Sequence, residues 1–173
     1  MNKKLIPTYF EDNFYSLDFK KIKDLGYLLL FVDLDNTLAS PFEAIPSSKT
    51  RQRIKEIKYL GFDITVLSNN HQERVAKFCD SLDVNYIYEV KKPNATKFNK
   101  YLDDNKIDKT KTLVIGDQVM TDVLLANRVG VDVILLNPLT SKDQLITFFP
   151  RRLDKYFKWK LRCKKLIRRL KDG

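Results

Sequence analysis

Cysteine, histidine and long apolar runs are all scarce in this chain of 173 residues. The two cysteines, Cys79 and Cys163, lie far apart without CxxC spacing, which excludes a zinc cluster and argues against a disulfide framework. The longest apolar stretch is about a third of a membrane span, and no apolar segment follows the basic residues near the N-terminus. We therefore expect a chain in a reducing, cytosolic setting that is neither secreted by that route nor transmembrane.

The rest of the composition favours one folded domain. Hydrophobic residues make up 43% of the chain and aromatic residues 12%, which argues for a packed core. A chain of this length buries roughly 70% of its unfolded surface. We find no internal repeat and no low-complexity linker. We divide the chain into an α/β domain over residues 1–150 and a basic C-terminal helix over 151–173, which is either part of the same domain or a peripheral tail.

Short apolar runs alternate along the chain with amphipathic stretches, a pattern typical of strands and helices in turn. Strands are expected near residues 27–34, 62–67, 85–90, 111–116 and 132–136. Helices are expected near residues 18–25, 47–60, 71–82, 93–104 and 119–129. This alternation predicts a doubly wound α/β fold, in which right-handed crossovers join the strands of a parallel sheet.

Glycine is rare, so its positions are informative. Three of the five glycines stand where a predicted helix ends and the chain turns toward a strand, as left-handed helix caps do. They are Gly26, Gly61 and Gly130. Pro93 is expected in the first turn of a helix, and Ser47 or Ser48 is expected to cap another.

Charge is unevenly distributed. Residues 151–171 hold eleven of the 32 lysines and arginines, so the net charge of +10 belongs almost entirely to the C-terminal segment. Drawn as a helix, residues 150–171 separate into an apolar and a basic side. The apolar side has Leu153, Tyr156, Phe157, Trp159, Cys163, Leu166, Ile167 and Leu170, and the basic side has Arg151, Lys155, Lys158, Arg162, Lys165 and Arg169. Such a helix either lies in a membrane interface or packs its apolar side on the sheet.

Two aspartates follow the apolar run Tyr27–Val32, which is typical of a strand buried on both faces. Asp33 and Asp35 at this strand end suggest a Mg²⁺ and phosphate site. One carboxylate can attack phosphorus and form an aspartyl-phosphate, and the other can protonate the leaving oxygen and then activate water. The alternative is that both simply begin a turn, a position that Asp favours.

Three more predicted strands end in side chains suited to the same chemistry. The hydroxyl of Ser68 can hold a phosphoryl oxygen or cap a helix. Lys92 can neutralise phosphoryl charge, and Asp117 adds a carboxylate of the kind that Mg²⁺ prefers. Asp122 either caps the next helix or supports the metal. Because ligands bind at the carboxyl edge of an open parallel sheet, the positions of these residues agree with their chemistry.

The segments DLDNTL, SNN, KKP and GDQVMTD, in this order and on these strands, resemble the motifs of the haloacid dehalogenase (HAD) superfamily of Mg²⁺-dependent phosphatases. The third and fourth segments are similar to those of subfamily IIIA. The chain as a whole resembles the YqeG-type phosphatases, whose mitochondrial relatives are phosphatidylglycerophosphate (PGP) phosphatases. The resemblance covers residues 27 to 136 and implies a HAD-like fold.

The resemblance also implies a role for each motif residue. Asp33 would be the nucleophile and Asp35 the general acid and base. Phosphate would be bound by Thr37, Ser68, Asn69 and Lys92, and Mg²⁺ by Asp33, Asp35, Asp117 and Asp122. The chain departs from the pattern at Gln118, where many members carry a second acid. His71, the single histidine, is expected on the surface at a helix start, because Asp35 already fills the acid–base role.

The spacing between motifs leaves no room for a lid domain. Residues 39–67 accommodate a loop, a helix and a strand, and residues 69–91 a helix and a strand. We therefore expect a capless, open site, which suits a phosphate carried on something large.

The residues predict a phosphomonoesterase that forms an aspartyl-phosphate, and the resemblance implies that it is Mg²⁺-dependent and dephosphorylates PGP or a similar phospholipid head group. The expected partner is an anionic phospholipid membrane, and the expected location is the cytoplasm or the inner face of that membrane. A basic segment binds any polyanion, so two alternatives stay open. One is a phosphatase acting on nucleic-acid terminal phosphates, and the other is a non-catalytic module that docks to RNA, ribosome or membrane. The oligomeric state stays open.

Overall fold

The computed structural model describes residues 2–140, 148–164 and 166–172, with the backbone alone for residues 148–152. In these ranges six parallel strands form one sheet in the order β1-β6-β5-β2-β3-β4. The strands are β1 (Tyr9–Glu11), β2 (Leu29–Val32), β3 (Asp63–Leu67), β4 (Asn85–Ile87), β5 (Thr112–Gly116) and β6 (Asp132–Leu136). The predicted parallel α/β sheet is confirmed, and β1 is an addition to it.

Helices cover both faces of the sheet. They are α1 (Phe19–Asp24), α2 (Ser48–Tyr59), α3 (Gln72–Cys79), α4 (Thr96–Asp104), α5 (Leu124–Val129) and α6 (Phe148–Cys163). Alternate residues of the central strand β2 enter two cores, because successive strand side chains point to opposite faces. Leu30 and Val32 pack with α1, α2 and α3, whereas Phe31 packs with α4, α5 and α6. The sheet is therefore doubly wound, as predicted.

The predicted turn residues are mostly confirmed. Gly26, Gly61 and Gly130 have positive φ angles of 93°, 85° and 76°, and the Ser47 hydroxyl caps α2. The prediction for Pro93 is wrong, because α4 begins at Thr96. The Asn94 side chain accepts the N–H of Thr96 at 2.9 Å, and this turn precedes the helix.

The C-terminal segment is not the single helix predicted over residues 150–171. Helix α6 begins at Phe148 and ends at Cys163, and the chain then runs beside β1. The Phe10 N–H donates to the Arg168 carbonyl at 2.9 Å, and the Leu170 N–H donates to Glu11 at 2.7 Å. These two hydrogen bonds cover part of the outer edge of a short edge strand.

Two residues predicted on the basic side of the helix, Arg151 and Lys165, have side chains outside the described set. The division at residue 150 falls within the first turn of α6. Across the described ranges, no helix combines the length and apolarity that a membrane crossing requires.

The two cysteines provide a test of the packing. Cys79 is buried on α3 and Cys163 is exposed at the end of α6. Burial raises the pKa of the Cys79 thiol to about 12, so this thiol stays protonated near neutral pH. We expect a thiol reagent at about pH 8 to label only Cys163 in the native chain, and to label both cysteines after denaturation. Rapid labelling of Cys79 without denaturant would show that α3 is not packed as described.

Candidate active site

The four motif segments meet at the carboxyl edge of the sheet. Strand β2 lies between β3 and β5, so Asp33, Ser68 and Asp117 emerge from neighbouring strands. The Asp33 N–H donates to the Ile115 carbonyl at 2.8 Å, which extends the pairing with β5 by one residue. The nucleophile predicted from the sequence is thereby fixed by backbone hydrogen bonding.

An acidic cluster forms at this edge from Asp33, Asp117 and Asp122. All three residues are buried, and one carboxylate oxygen from each lies within 4.8 Å of the others. Carboxylates at this spacing repel one another when ionised, and carboxylate oxygens are the ligands that Mg²⁺ prefers. The donor set therefore fits a divalent cation. Asp35, the fourth aspartate predicted to bind metal, is not brought into this cluster.

Lys92 is a second component of the cluster. Its ammonium donates to Asp33, to Asp122 at 2.7 Å and to the Leu67 carbonyl at 3.0 Å, and the residue is only 7% exposed. Burial lowers the pKa of Lys92, but Asp122 and Asp33 together raise it above its ordinary value. The ammonium therefore stays charged where phosphoryl charge would be neutralised.

The carboxyl group of Asp33 has a pKa well above its usual range. The main cause is burial, and the neighbouring carboxylates of Asp122 and Asp117 add to it, whereas Lys92 opposes the shift. A further cation beside Asp33 would favour the ionised form that a nucleophile needs.

Gly116 allows Asp122 to approach strand β5. A Cβ atom at this position would lie 2.3 Å from the Asp122 Cγ atom, so only glycine fits. The second oxygen of Asp122 accepts the Gln118 N–H at 3.1 Å. Asp122 thus holds the turn after β5 and belongs to the acidic cluster, and its support of a metal stays a prediction.

The side chain of Asp35 is partly exposed and is held by α3 and the turn before it. It accepts hydrogen bonds from the Asn70 amide and from the Arg74 guanidinium, the latter at 3.1 Å. Sequence reasoning named neither partner as a site residue. Asn70 belongs to the SNN segment, so its role could have been predicted from the sequence. The contact of Arg74 with Asp35 depends on the packing of α3 beside β2 and could not.

The residues predicted to bind phosphate have different surroundings. The Thr37 hydroxyl is buried and makes no hydrogen bond with the described atoms, a costly state that a bound phosphoryl oxygen would relieve. The Ser68 hydroxyl accepts the Asn70 N–H at 3.1 Å and keeps its own proton to donate. The Asn69 amide exchanges two hydrogen bonds with the backbone of Lys92, at 2.6 and 3.2 Å, and so draws that residue toward β2.

His71 is confirmed as a surface residue at the start of α3. Its side chain is 90% exposed, and the Nδ1 atom lies 2.5 Å from Glu89. It is outside the acidic cluster.

Helix α6 contributes a buried ion pair that the sequence did not reveal. The Lys158 ammonium donates to the carbonyls of Asp117 at 2.5 Å and Leu136 at 2.9 Å, and lies 3.5 Å from Asp154. Asp154 in turn accepts the Val119 N–H at 2.6 Å. The pair therefore fixes both ends of the turn that carries Asp117. The prediction that Lys158 lies on a solvated basic side is wrong, because two carbonyls and Asp154 compensate its buried charge.

This contact predicts a large effect for Lys158→Met. The substitution leaves the Asp154 carboxylate buried without its cation, so the free energy of unfolding should fall by about 3–5 kcal/mol. Urea unfolding measures the change. The matched control is Lys164→Met at an exposed lysine just beyond the helix, which should change the same free energy by less than about 0.5 kcal/mol. Equal effects of the two substitutions would contradict the buried ion pair.

Comparison with known proteins agrees with this geometry. The model of the mitochondrial PGP phosphatase family matches residues 1–140, which contain all four motif segments. The chain is 33% identical over 155 residues to the probable phosphatase YqeG of Bacillus subtilis, covering 90% of each protein. It is 27% identical over 151 residues to phosphatidylglycerophosphate phosphatase 1 of Arabidopsis thaliana, covering 80% of this chain and 42% of that protein.

A solved structure of an uncharacterized protein from Listeria monocytogenes serotype 4b shares the fold. Its TM-score is 0.53 at 17% identity, and the match covers 76% of this chain and 99% of that one. The matched family model, the YqeG relative and the four motif segments assembled at one sheet edge give the same assignment. The chain therefore belongs to the mitochondrial PGP phosphatase family within the HAD superfamily, and it is a YqeG-type phosphatase, a hydrolase of phosphoric monoesters.

Proposed function

We propose that this phosphatase is Mg²⁺-dependent, works through an aspartyl-phosphate on Asp33, and acts on PGP or a similar phospholipid head group. The observation that carries the proposal is the placement of buried Asp33 between the Lys92 ammonium and the carboxylates of Asp117 and Asp122. This arrangement supplies a nucleophile and a fixed positive charge at one point of the sheet edge.

In the first half of the reaction, a carboxylate oxygen of Asp33 attacks phosphorus. The bond from phosphorus to the leaving oxygen breaks, and Asp35 gives that oxygen a proton. In the second half, Asp35 takes a proton from water, which attacks phosphorus, releases inorganic phosphate and restores Asp33. Asn70 and Arg74 keep the Asp35 carboxylate in one orientation during both proton transfers.

Charge stabilisation comes from two sources in this scheme. The Lys92 ammonium supplies a fixed positive charge beside Asp33, and the hydroxyls of Thr37 and Ser68 lie at the same sheet edge and can donate to phosphoryl oxygens. A Mg²⁺ held by Asp33, Asp117 and Asp122 would offset the charge of these carboxylates and of the phosphoryl group.

The phospholipid substrate is supported by the family and by the Arabidopsis relative, both of which are named for PGP. Among the described residues, the connections 33–47 and 68–71 at this edge contain no helix or strand of their own, which agrees with a site that lacks an inserted lid domain. A phosphate on a membrane-borne molecule can therefore reach Asp33.

A membrane surface is supported by the distribution of exposed apolar side chains. Six of the eight large ones in the described chain lie on α6 or on loops at the carboxyl edge. They are Phe42, Ile45, Leu139, Leu153, Tyr156 and Trp159. Leu153, Tyr156 and Trp159 recur every three residues on the outer side of α6, where aromatic rings and nearby lysines suit an anionic lipid interface. We therefore propose that the protein acts at the inner face of a membrane.

Phosphate release from three substrates tests the proposal. The substrates are PGP in anionic vesicles, a 3′-phosphorylated oligonucleotide and an aryl phosphate, each with Mg²⁺ and with excess EDTA. We expect the highest kcat/KM on PGP and no turnover in EDTA. A higher value on the oligonucleotide would favour the nucleic-acid alternative, and full activity in EDTA would contradict the metal requirement. No turnover of any of the three substrates in the presence of Mg²⁺ would favour the non-catalytic docking module.

The membrane surface is tested separately with the double variant Leu153→Ser, Tyr156→Ser. It should lose activity on vesicle-borne PGP while keeping its activity on the aryl phosphate. The matched control is Tyr59→Ser, an exposed aromatic residue at the end of α2. An equal loss on both substrates would contradict a role at the membrane.

A further inference from the structure

A cavity of about 360 Å³ opens beside the acidic cluster, between α6 and residues 137–140 after β6. We call it the α6 pocket. Its wall includes Gln118, Asn137, Pro138, Lys155, Trp159 and Arg162. Asp117 lies both on this wall and in the acidic cluster, so the pocket is adjacent to the place where the phosphoryl group reacts.

The charges of the pocket favour an anionic ligand. Two further residues on its wall, Asp154 and Lys158, are paired with each other and with the backbone. Among the described residues of the wall, the cationic groups that remain for a ligand are Lys155 and Arg162. The proposed chemistry uses Asp117 at the metal, which leaves the wall beside α6 with an excess of positive charge.

Arg162 is held in place before any ligand binds. Its guanidinium lies 5.4 Å from the centre of the Phe10 ring and donates to the Asn137 side chain at 3.4 Å. These contacts use one face and one edge of the group. A guanidinium fixed in this way loses little side-chain freedom when it binds a phosphate, for which its planar fork is well suited.

We propose that the α6 pocket binds the leaving group of the phosphoric monoester and recognises a second phosphate, a diester, carried on that leaving group. The inference rests on the proposed function and locates its substrate specificity. In the PGP head group, a glycerol joins the reacting monoester to a diester phosphate. With the monoester at the acidic cluster, the diester would bind to Lys155 and Arg162. The glycerol between them would lie against Asp117 and Gln118.

The geometry favours a lipid head group as the source of this diester. The outer side of the same helix presents Leu153 and Tyr156 to solvent, and Trp159 joins that side to the pocket wall. The acyl chains attached to a lipid diester would therefore meet apolar side chains where they leave the pocket. A nucleic-acid strand would instead bring further charged phosphates against the same apolar side chains.

Soluble substrates separate recognition of the diester from membrane binding. The first is the deacylated head group, glycerophosphoglycerol phosphate, and the second is glycerol 3-phosphate, which has the monoester alone. We expect the intact chain with Mg²⁺ to show a kcat/KM at least about tenfold higher for the first substrate, the gain expected of a charge-assisted hydrogen bond. Glycerophosphoglycerol, which has only the diester, should competitively inhibit hydrolysis of an aryl phosphate.

Lys155→Gln and Arg162→Gln, made separately, should reduce the kcat/KM ratio of the two substrates toward one, chiefly by raising the KM of the diester-bearing substrate. Each variant should also weaken the inhibition by glycerophosphoglycerol. Lys164→Gln is the matched control and should keep both. Lys155 is exposed, so its variant is expected to fold even if Arg162→Gln does not.

Three outcomes would overturn the inference. One is equal kcat/KM for the two substrates in the parent chain together with no inhibition by glycerophosphoglycerol, while the aryl phosphate is still hydrolysed. Another is an unchanged ratio in Lys155→Gln. The third is a larger preference for a 3′-phosphorylated dinucleotide that is lost in the same variants, which would assign the pocket to nucleic acid. If no phosphomonoester is hydrolysed, the proposed function fails first, and the inference fails with it.

Discussion

Asp33→Asn is expected to lower kcat by on the order of 10⁵-fold, because it removes the attacking carboxylate and leaves the rest of the site in place. The fold should persist, since an amide has the shape of the carboxyl group and Lys92 keeps its ion pair with Asp122. Burial already raises the pKa of Asp33, so a neutral group at this position should not lower the melting temperature. Turnover of an aryl phosphate and calorimetry measure the two effects.

The matched control for this substitution is Asp63→Asn, at an exposed aspartate that begins β3 on the opposite edge of the sheet. It should retain parental activity. Near-normal turnover in Asp33→Asn would remove the basis for an aspartyl-phosphate on this residue.

Lys92→Met should produce a large loss of stability together with a loss of activity. The substitution leaves Asp33 and Asp122 buried without the ammonium that contacts both, so the free energy of unfolding in EDTA should fall by about 3–5 kcal/mol near neutral pH. The kcat should also fall, because the phosphoryl charge loses its fixed cation. Urea unfolding and steady-state kinetics test the two parts.

The loss of stability caused by Lys92→Met should depend on pH in one direction. The folded-state pKa of Asp33 is raised, so its protonated form contributes stability at low pH, and that contribution is lost as the pH rises through the folded-state pKa. Removing Lys92 raises this pKa further. The difference in unfolding free energy between the parent chain and Lys92→Met should therefore become smaller as the pH is lowered.

Lys91→Met is the matched control, because Lys91 is adjacent in sequence but exposed. Its unfolding free energy should change by less than about 0.5 kcal/mol. A similar loss in both variants would contradict the special position of Lys92.

The site residues whose positions the sequence predicts are those that stand at the ends of strands. Asp33, Ser68 and Asp117 each come directly after a run of buried residues in a parallel sheet, and the carboxyl ends of neighbouring strands meet. Of the two adjacent lysines, Lys92 is the one next to Pro93 in the sequence. It is buried because Asn69 pairs with its backbone, which the sequence pattern does not show.

The contribution of α6 could not be predicted because it depends on tertiary contacts. Lys158 is one of eleven basic residues in its segment, and a helical wheel placed it on the solvated side. Its burial depends on the carbonyls of Asp117 and Leu136, which come from the ends of two strands. The available signal was Asp154, an isolated acid four residues before Lys158 in an otherwise basic segment.

Strand β1 was missed for a different reason. Three residues are too few to show the alternation that indicates a strand, and Tyr9 and Phe10 are both buried. Its place at the sheet edge depends on β6 and on the segment around Arg168, which is distant in sequence.

Covalent labelling of Asp33 tests the central claim most directly. The Asp35→Asn variant, with Mg²⁺ and an aryl phosphate radiolabelled in its phosphoryl group, should form the intermediate but hydrolyse it slowly, because the leaving group needs no proton whereas the attacking water needs a base. After an acid quench, we predict label on the peptide that contains Asp33, and none when Asp33 is also replaced by Asn. Phosphate release from the parent chain without any labelled protein, or label on a peptide that lacks Asp33, would contradict the mechanism.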